Sequence, residues 1–69
     1  MSEHHGTNEE GPVKSRLLQA AVKLFVSRGY AATSVREIVE EAGVTKPVLY
    51  YHFGSKEGLF RHLFSKALD

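Results

Sequence analysis

The chain has 69 residues and no cysteine, so it forms one small domain without disulfide bonds. No apolar run approaches the ~20 residues that cross a bilayer, and the amino terminus lacks a basic segment followed by an apolar one, so we expect neither a membrane nor a secreted protein. The net charge of +1 hides a split: residues 1–10 hold three Glu and no Lys or Arg, whereas residues 11–69 hold nine basic and five acidic side chains. Such basicity permits nucleic-acid binding without demonstrating it.

The first ten residues are almost entirely polar. A segment of this composition buries too little apolar surface to offset the entropy of ordering, so residues 1–10 are predicted to be a flexible tail. The adjacent His4 and His5 do not complete a metal coordination shell. We therefore predict no metal site, and no cofactor.

The first helix is predicted from Pro12, because proline is favoured at the first helical position, to about Arg28. Gly29 follows, where a glycine commonly ends a helix, and Tyr30 is expected to pack on the helical bundle. The apolar residues of this helix form a broad stripe typical of a core helix: Val13, Leu17, Leu18, Ala21, Val22, Leu24 and Phe25.

Two short helical patterns joined by a glycine-containing turn occupy residues 34–56, which is the spacing of a helix-turn-helix. Ser34 and Glu37 form a capping box at the start of the first pattern, and Gly43 ends it at about Ala42. Its apolar positions follow a helical period: Val35, Ile38, Val39 and Ala42.

The second pattern is predicted to begin at Thr45 or Lys46 and to run to about His52. The Thr45 hydroxyl is expected to cap it, and Leu49 and Phe53 are expected to turn inward. The remaining side chains are expected outside or at the edge, with no acid between residues 45 and 55: Lys46, Pro47, Val48, Tyr50, Tyr51 and His52. A helix of this kind is typical of a major-groove reader.

A final helix is predicted from Lys56, after a sharp turn at Gly54 and a cap at Ser55. Its apolar face is wider than a three-helix head needs to cover, so part of it is expected to be exposed. Neither Gly nor Pro ends this helix before Asp69, and we expect the chain to be a piece of a longer protein. The residues predicted on the exposed side are Phe60, Phe64 and Leu68.

The segment from Gly29 to Phe60, GYAATSVREIVEEAGVTKPVLYYHFGSKEGLF, resembles the amino-terminal DNA-binding domain of the TetR/AcrR family of bacterial transcriptional regulators. The matching pieces are GY followed by TSV, then REI, AGV, LYYHF and SKE. The resemblance implies an all-α fold over residues 11–69: a homeodomain-like, three-helix DNA-binding head with a helix-turn-helix, followed by the start of a connecting fourth helix. The family's carboxy-terminal ligand-binding and dimerisation domain is absent from these residues.

The resemblance also implies a function. Members of the family are sequence-specific regulators, usually repressors, that bind palindromic operators as dimers and respond to a small-molecule effector bound by the second domain. It implies a cytoplasmic protein associated with the nucleoid. The operator, the effector, the regulated genes, and the choice between repressor and activator do not follow from these residues.

Two other classes of protein are an enzyme and a protein interaction module. An enzyme is not expected, because no carboxylate is placed to orient His52 beside Tyr50 and Tyr51, and a small helical head offers no obvious pocket. A helical protein interaction module is the alternative, since the wide apolar face of the last helix suits a partner helix.

The family's contacts to bases carry over onto the two helices of the motif. Lys46 is expected to be the main hydrogen-bonding base reader, with Pro47 and Val48 contacting thymine methyl groups. Arg36 is expected to reach a base edge or a phosphate, or else to pair with Glu40 at i+4, or to alternate between the two roles.

The phosphate contacts implied by the resemblance lie at helix ends. Tyr50, Tyr51, His52 and Lys56 match positions that grip the backbone, although Tyr51 also suits half-buried packing and His52 a helix end. Thr45 is expected to be a further phosphate donor. Ser34 and Thr33 are expected to cap the amino end of the motif's first helix, and phosphate contact is their second expected role because the helix dipole favours an anion there. Lys14 and Arg16 read either as phosphate contacts or as ordinary surface charges. The acids Glu37, Glu40 and Glu41 are expected to lie away from DNA.

Overall fold

The computed structural model describes the backbone of residues 5–68 and the side chains of residues 11–65. It contains four helices: α1 (His5–Arg28), α2 (Val35–Ala42), α3 (Lys46–Phe53) and α4 (Lys56–Leu68). The described residues contain no strand, so the predicted all-α class is confirmed. Helix α2 packs on α1 and α3, and α4 packs on α1 and α3.

The start of α1 differs from the prediction. The helix begins at His5, so Pro12 lies inside it rather than at its first position. A proline usually disfavours helical geometry in the residue before it through contact with that residue's Cβ, and here the preceding residue is Gly11, which has none. Pro12 is exposed. The flexible tail over residues 1–10 stays a prediction, since residues 1–4 and the side chains of 5–10, including those of the two histidines, lie outside what the structure describes.

One apolar core joins all four helices. Helix α1 supplies four of its buried residues, α2 three, and α3 and α4 one each. Burying a leucine or isoleucine side chain contributes about 1.5–3 kcal/mol, so the single residues from α3 and α4 dominate how those short helices are held. The core residues are Leu17, Ala20, Ala21, Leu24, Ile38, Val39, Ala42, Leu49 and Leu59.

Both ends of α2 are formed as the sequence predicts. Ser34 and Glu37 make the reciprocal capping box, with the Glu37 backbone N–H donating to the Ser34 hydroxyl (3.1 Å) and the Ser34 N–H donating to the carboxylate (3.0 Å). Gly43 adopts φ 77°, and its N–H donates to the carbonyls of Val39 and Glu40. A side chain in this left-handed conformation is strained, so the turn between α2 and α3 depends on glycine.

The start of α3 differs from the prediction in one respect. Thr45 is the N-cap residue in extended conformation, but its hydroxyl makes no capping hydrogen bond. The backbone forms the first turn, since the Thr45 carbonyl accepts from Val48 N–H (3.1 Å) and Leu49 N–H (3.3 Å). Helix α3 ends at Phe53, one residue later than predicted, before Gly54 at φ 82°.

An aromatic cluster joins the end of α1 to α4. Tyr30 lies between Phe25 and Phe60, with ring centroids 5.3 and 4.9 Å away, and Phe60 also meets Phe64 at 4.9 Å. The predicted packing of Tyr30 is confirmed. Phe64 is exposed, as expected, whereas Phe60 is half-buried because this cluster covers it. The Leu68 side chain lies outside the described residues.

Candidate nucleic-acid interface

Four exposed side chains of α3 lie along one stripe of the helix. Lys46, Pro47, Tyr50 and Tyr51 occupy positions i, i+1, i+4 and i+5, which adjoin one another on a helix of 3.6 residues per turn, and all four are exposed. We call this stripe the α3 outer face. Tyr51 is 74% exposed and Tyr50 47%, so both phenol groups are presented largely to solvent.

Packing behind α3 fixes the direction of this face. Leu49 is fully buried in the core, and Phe53 and Val48 pack partly against it. The prediction that Leu49 and Phe53 turn inward is confirmed. Val48 lies at the boundary between the core and solvent, so its exposed part is smaller than that of Pro47.

The carboxyl end of α3 is joined to α4 by ring contacts. The His52 ring meets Tyr51 edge-on at 5.0 Å, and Phe53 meets His62 of α4 edge-on at 5.3 Å. His52 is half-buried. His52 lies at the end of α3, which agrees with one of its two expected roles. Its other expected role, a contact with DNA, stays a prediction.

The amino end of α2 presents Ser34 to solvent, but not Thr33. Ser34 is exposed, whereas Thr33 is 1% exposed and its hydroxyl donates to the carbonyls of Gly29 (2.8 Å) and Leu24 (3.2 Å). Thr33 therefore satisfies carbonyls at the end of α1 instead of capping α2, and the expected phosphate contact from its side chain is wrong. A buried side chain has no path to a phosphate.

The acids of α2 separate into two groups. Glu37 pairs with Arg28 of α1, and Glu41 pairs with Lys23 of α1 at 2.8 Å, so both lie toward α1. Glu40 instead contacts Arg36 at 3.1 Å, in the i, i+4 pair considered from sequence. Because Arg36 is exposed, this pair is weak.

The Glu37 carboxylate is stabilised in its charged form. Its pKa is lowered mainly by the Ser34 backbone N–H that donates to it; burial opposes the shift, and the charge of Arg28 adds to it. The capping box therefore holds an ionised acid at the start of α2, close to Ser34. Any phosphate bound there lies near that negative charge.

Two cations act inside the fold rather than on the α3 outer face. The Arg16 Nε donates to the Ala42 carbonyl (3.1 Å) at the carboxyl end of α2, where a cation also meets the negative end of the helix dipole. The Lys56 ammonium donates to the carbonyls of Tyr30 and Thr33, each at 2.9 Å. None of these three hydrogen bonds is visible in the sequence, because they join residues 23–26 positions apart.

Comparison with known proteins identifies the family. The family model described as bacterial regulatory proteins, tetR family, matches residues 17–63, which is most of the chain. The chain belongs to this family. All four helices contribute to the matched range, which includes the whole helix-turn-helix from α2 to α3.

The curated relatives include a transcriptional activator as well as transcriptional repressors. The chain is 46% identical over 56 residues to the HTH-type transcriptional activator FasR of Mycolicibacterium smegmatis, covering 81% of this chain and 26% of that protein. It is 46% identical over 52 residues to the HTH-type transcriptional repressor ComR of Escherichia coli, covering 75% of this chain and 25% of the relative. For the HTH-type transcriptional repressor KstR2 of Mycobacterium tuberculosis the identity is 44% over 62 residues, with coverages of 86% and 31%. The chain thus spans about a quarter to a third of the length of these relatives.

Other site types find no support among the described residues. That part of the chain holds no group of three or more His, Asp or Glu side chains arranged to bind a metal. Within the same residues, no helix combines the length and the apolar character needed to cross a membrane. The relatives above are regulators by name.

Proposed function

We propose that this TetR-family chain binds operator DNA by placing α3 in the major groove. The observation that carries the proposal is the α3 outer face, where a lysine and two tyrosines point outward from a helix whose opposite side is held by the buried Leu49. The two α2 acids Glu37 and Glu41 are paired with cations of α1, which keeps their charge away from that face. Helix α3 has eight residues, about 12 Å at 1.5 Å per residue, a length that fits within the groove.

The proposed contacts divide into base and phosphate contacts. Lys46 reads base edges from the first position of α3, Pro47 and Val48 contact thymine methyl groups, and Arg36 reaches a base or a phosphate after leaving Glu40. The phosphate contacts come from Thr45, Tyr50, Tyr51 and His52 on α3 and from Ser34 at the amino end of α2. Phosphate contacts set the position on the duplex, and base contacts set the sequence.

The finer functional proposal is a repressor that binds a palindromic operator as a homodimer. In such a dimer the two α3 helices lie about 34–36 Å apart, in successive major grooves. Dimerisation and binding of a small-molecule effector are assigned to the region that the much longer relatives possess beyond their match to this chain. A duplex operator places the regulator in the cytoplasm, at the nucleoid. We propose no catalytic activity.

Lys46→Ala tests the assignment of α3, with Lys23→Ala as the matched control. Lys23 is also an exposed lysine, but it pairs with Glu41 on the α1 side of α2. Duplexes are selected from a random pool with each variant. Lys46→Ala should change the preferred sequence and lose about 1–3 kcal/mol of discrimination at one or two positions, whereas Lys23→Ala should select the parent sequence. If Lys46→Ala returned the parent sequence with equal enrichment, α3 would not be the reader.

The second candidate function is binding of a protein partner. A shallow apolar groove of about 350 Å³ lies between α1 and α4, lined by Leu18, Val22 and Leu63 among others, and Phe64 beyond it is 57% exposed. Salt dependence separates the two functions: phosphate contacts make affinity fall steeply as salt rises, and docking on this apolar groove does not.

A further inference from the structure

The Lys56 ammonium occupies an unusual position for a cation. Lys56 is the first residue of α4, where the positive end of the helix dipole disfavours a positive charge. The side chain is half-buried. A lysine held in such a place needs specific acceptors, and three groups of the α1–α2 loop supply them.

The acceptors belong to residues 30–33, the turn between α1 and α2. The Lys56 Nζ donates to the carbonyls of Tyr30 and Thr33, each at 2.9 Å, and lies 4.2 Å from the centroid of the Tyr30 ring. The Tyr30 carbonyl also accepts from the Thr33 backbone N–H at 3.2 Å. Two of the three ammonium protons are therefore used inside the fold, and the ring face supports the charge.

The two chain segments joined by Lys56 both adjoin the proposed DNA contacts. Thr33 immediately precedes Ser34, the cap of α2, and Lys56 follows the Gly54–Ser55 turn that ends α3. The structure assigns to Lys56 the role of a positioning residue: its ammonium holds the amino end of α2 at a fixed separation from the carboxyl end of α3, so that Ser34 and the α3 tyrosines meet phosphates together. This role rests on the proposed DNA binding and replaces direct phosphate contact by Lys56.

The test compares Lys56→Met with Lys46→Met in the 69-residue chain. Lys56→Met keeps the length of the side chain and removes its donors and charge. In the free protein, amide hydrogen exchange is measured at Thr33, Ser34 and Glu37, with Gly43 at the far end of α2 as the internal control. Loss of the brace should speed exchange at the first three amides by about tenfold or more and leave Gly43 unchanged.

Binding to a fixed duplex over a range of salt concentrations gives the second readout. Removing a cation that touches phosphate lowers the slope of log affinity against log salt by about 0.9. Lys56→Met should weaken binding by about tenfold or more with the parent slope, whereas Lys46→Met, which removes a base contact, should weaken binding to that duplex and leave amide exchange at Thr33, Ser34 and Glu37 unchanged. Lys56→Arg, which keeps a charged donor for the carbonyls, should restore both affinity and protection.

Two results would overturn the inference: a slope reduced by about 0.9 in Lys56→Met, or exchange at Thr33, Ser34 and Glu37 equal to the parent rate. If Lys56→Met does not fold, Lys56→Gln, which keeps an N–H donor without the charge, takes its place, and the salt slope alone then decides: a slope reduced by about 0.9 overturns the inference and the parent slope supports it. Amide exchange is measured without DNA, so it tests the brace even if the chain fails to bind any duplex. Failure of the parent to bind would refute the proposed function alone.

Discussion

Thr33 and Thr45 provide a matched pair for testing how the ends of the short helices are held. Thr33 lies next to Ser34, the N-cap residue of α2, and Thr45 is the N-cap residue of α3. The structure places their hydroxyls in opposite surroundings. The Thr33 hydroxyl is buried and lies within hydrogen-bond distance of the Gly29 and Leu24 carbonyls. The Thr45 hydroxyl is exposed and makes no capping bond. The same substitution by valine, which preserves the shape of the side chain, therefore has different consequences at the two sites.

The expected change in stability follows from the number of hydrogen bonds that each hydroxyl donates. A hydroxyl has one proton, so Thr33 donates to one carbonyl at a time, and its two distances describe one hydrogen bond shared between acceptors. Losing that bond in a buried place costs about 1–1.5 kcal/mol. In a domain of this size 1 kcal/mol corresponds to about 4–8 °C in Tm, so Thr33→Val should lower Tm by about 4–12 °C. Thr45→Val removes no bond and should change stability by less than about 0.5 kcal/mol.

Thermal unfolding followed by circular dichroism at 222 nm measures both variants in one buffer. A double variant should show the sum of the two shifts, because the two hydroxyls share no partner. Equal losses of Tm in Thr33→Val and Thr45→Val would refute the reasoning, since they would mean that Thr45 caps α3 through its hydroxyl after all.

Two further predictions concern the α3–α4 junction and the capping box. Gly58→Ala should lower Tm, because the new Cβ would lie 2.1 Å from the Phe53 carbonyl oxygen. This clash outweighs the helix preference of alanine over glycine, which is about 1 kcal/mol. A rise in Tm would contradict the prediction and show that the junction has room for a Cβ. Glu37→Gln should destabilise the chain at pH 7 but not at low pH. The folded-state pKa of Glu37 is depressed, so its stabilisation is present above the unfolded value of about 4.3 and is lost as pH falls through the folded pKa. Melting curves at pH 7 and pH 3 check this, and a constant difference between the two proteins would contradict it.

Both bounds of α2 and the start of α4 were predictable because local signals mark them. The Ser34–Glu37 box and Gly43 define α2 from neighbouring residues alone, and Gly54 with Ser55 does the same for the start of α4, where the Gly58 N–H donates to the Ser55 hydroxyl at 2.9 Å. The start of α1 was not predictable in this way. Proline is favoured at the first helical position and disfavoured in a helix interior, so the sequence pointed to a start at Pro12. The missing Cβ of Gly11 removes one of the contacts that oppose a helix before a proline.

The directions of α3 side chains were also predictable, because the inward pair Leu49 and Phe53 determines which side faces out. What the sequence could not show is which polar groups are used inside the fold. Lys56 and Arg16 bond to carbonyls far away along the chain, and their residue type carries no sign of it. Gly58 did carry a signal, since a glycine within a helical pattern costs about 1 kcal/mol relative to alanine, which points to a packing reason for it.

The measurement that tests the central claim most directly is an NMR titration of the 69-residue chain with a duplex obtained by selection. If α3 reads the major groove, the largest amide shifts should occur at Lys46, Val48, Tyr50 and Tyr51, with a second group at Ser34. Small shifts at these residues, together with large shifts around Leu18, Val22 and Leu63, would contradict the account and would place the binding surface between α1 and α4.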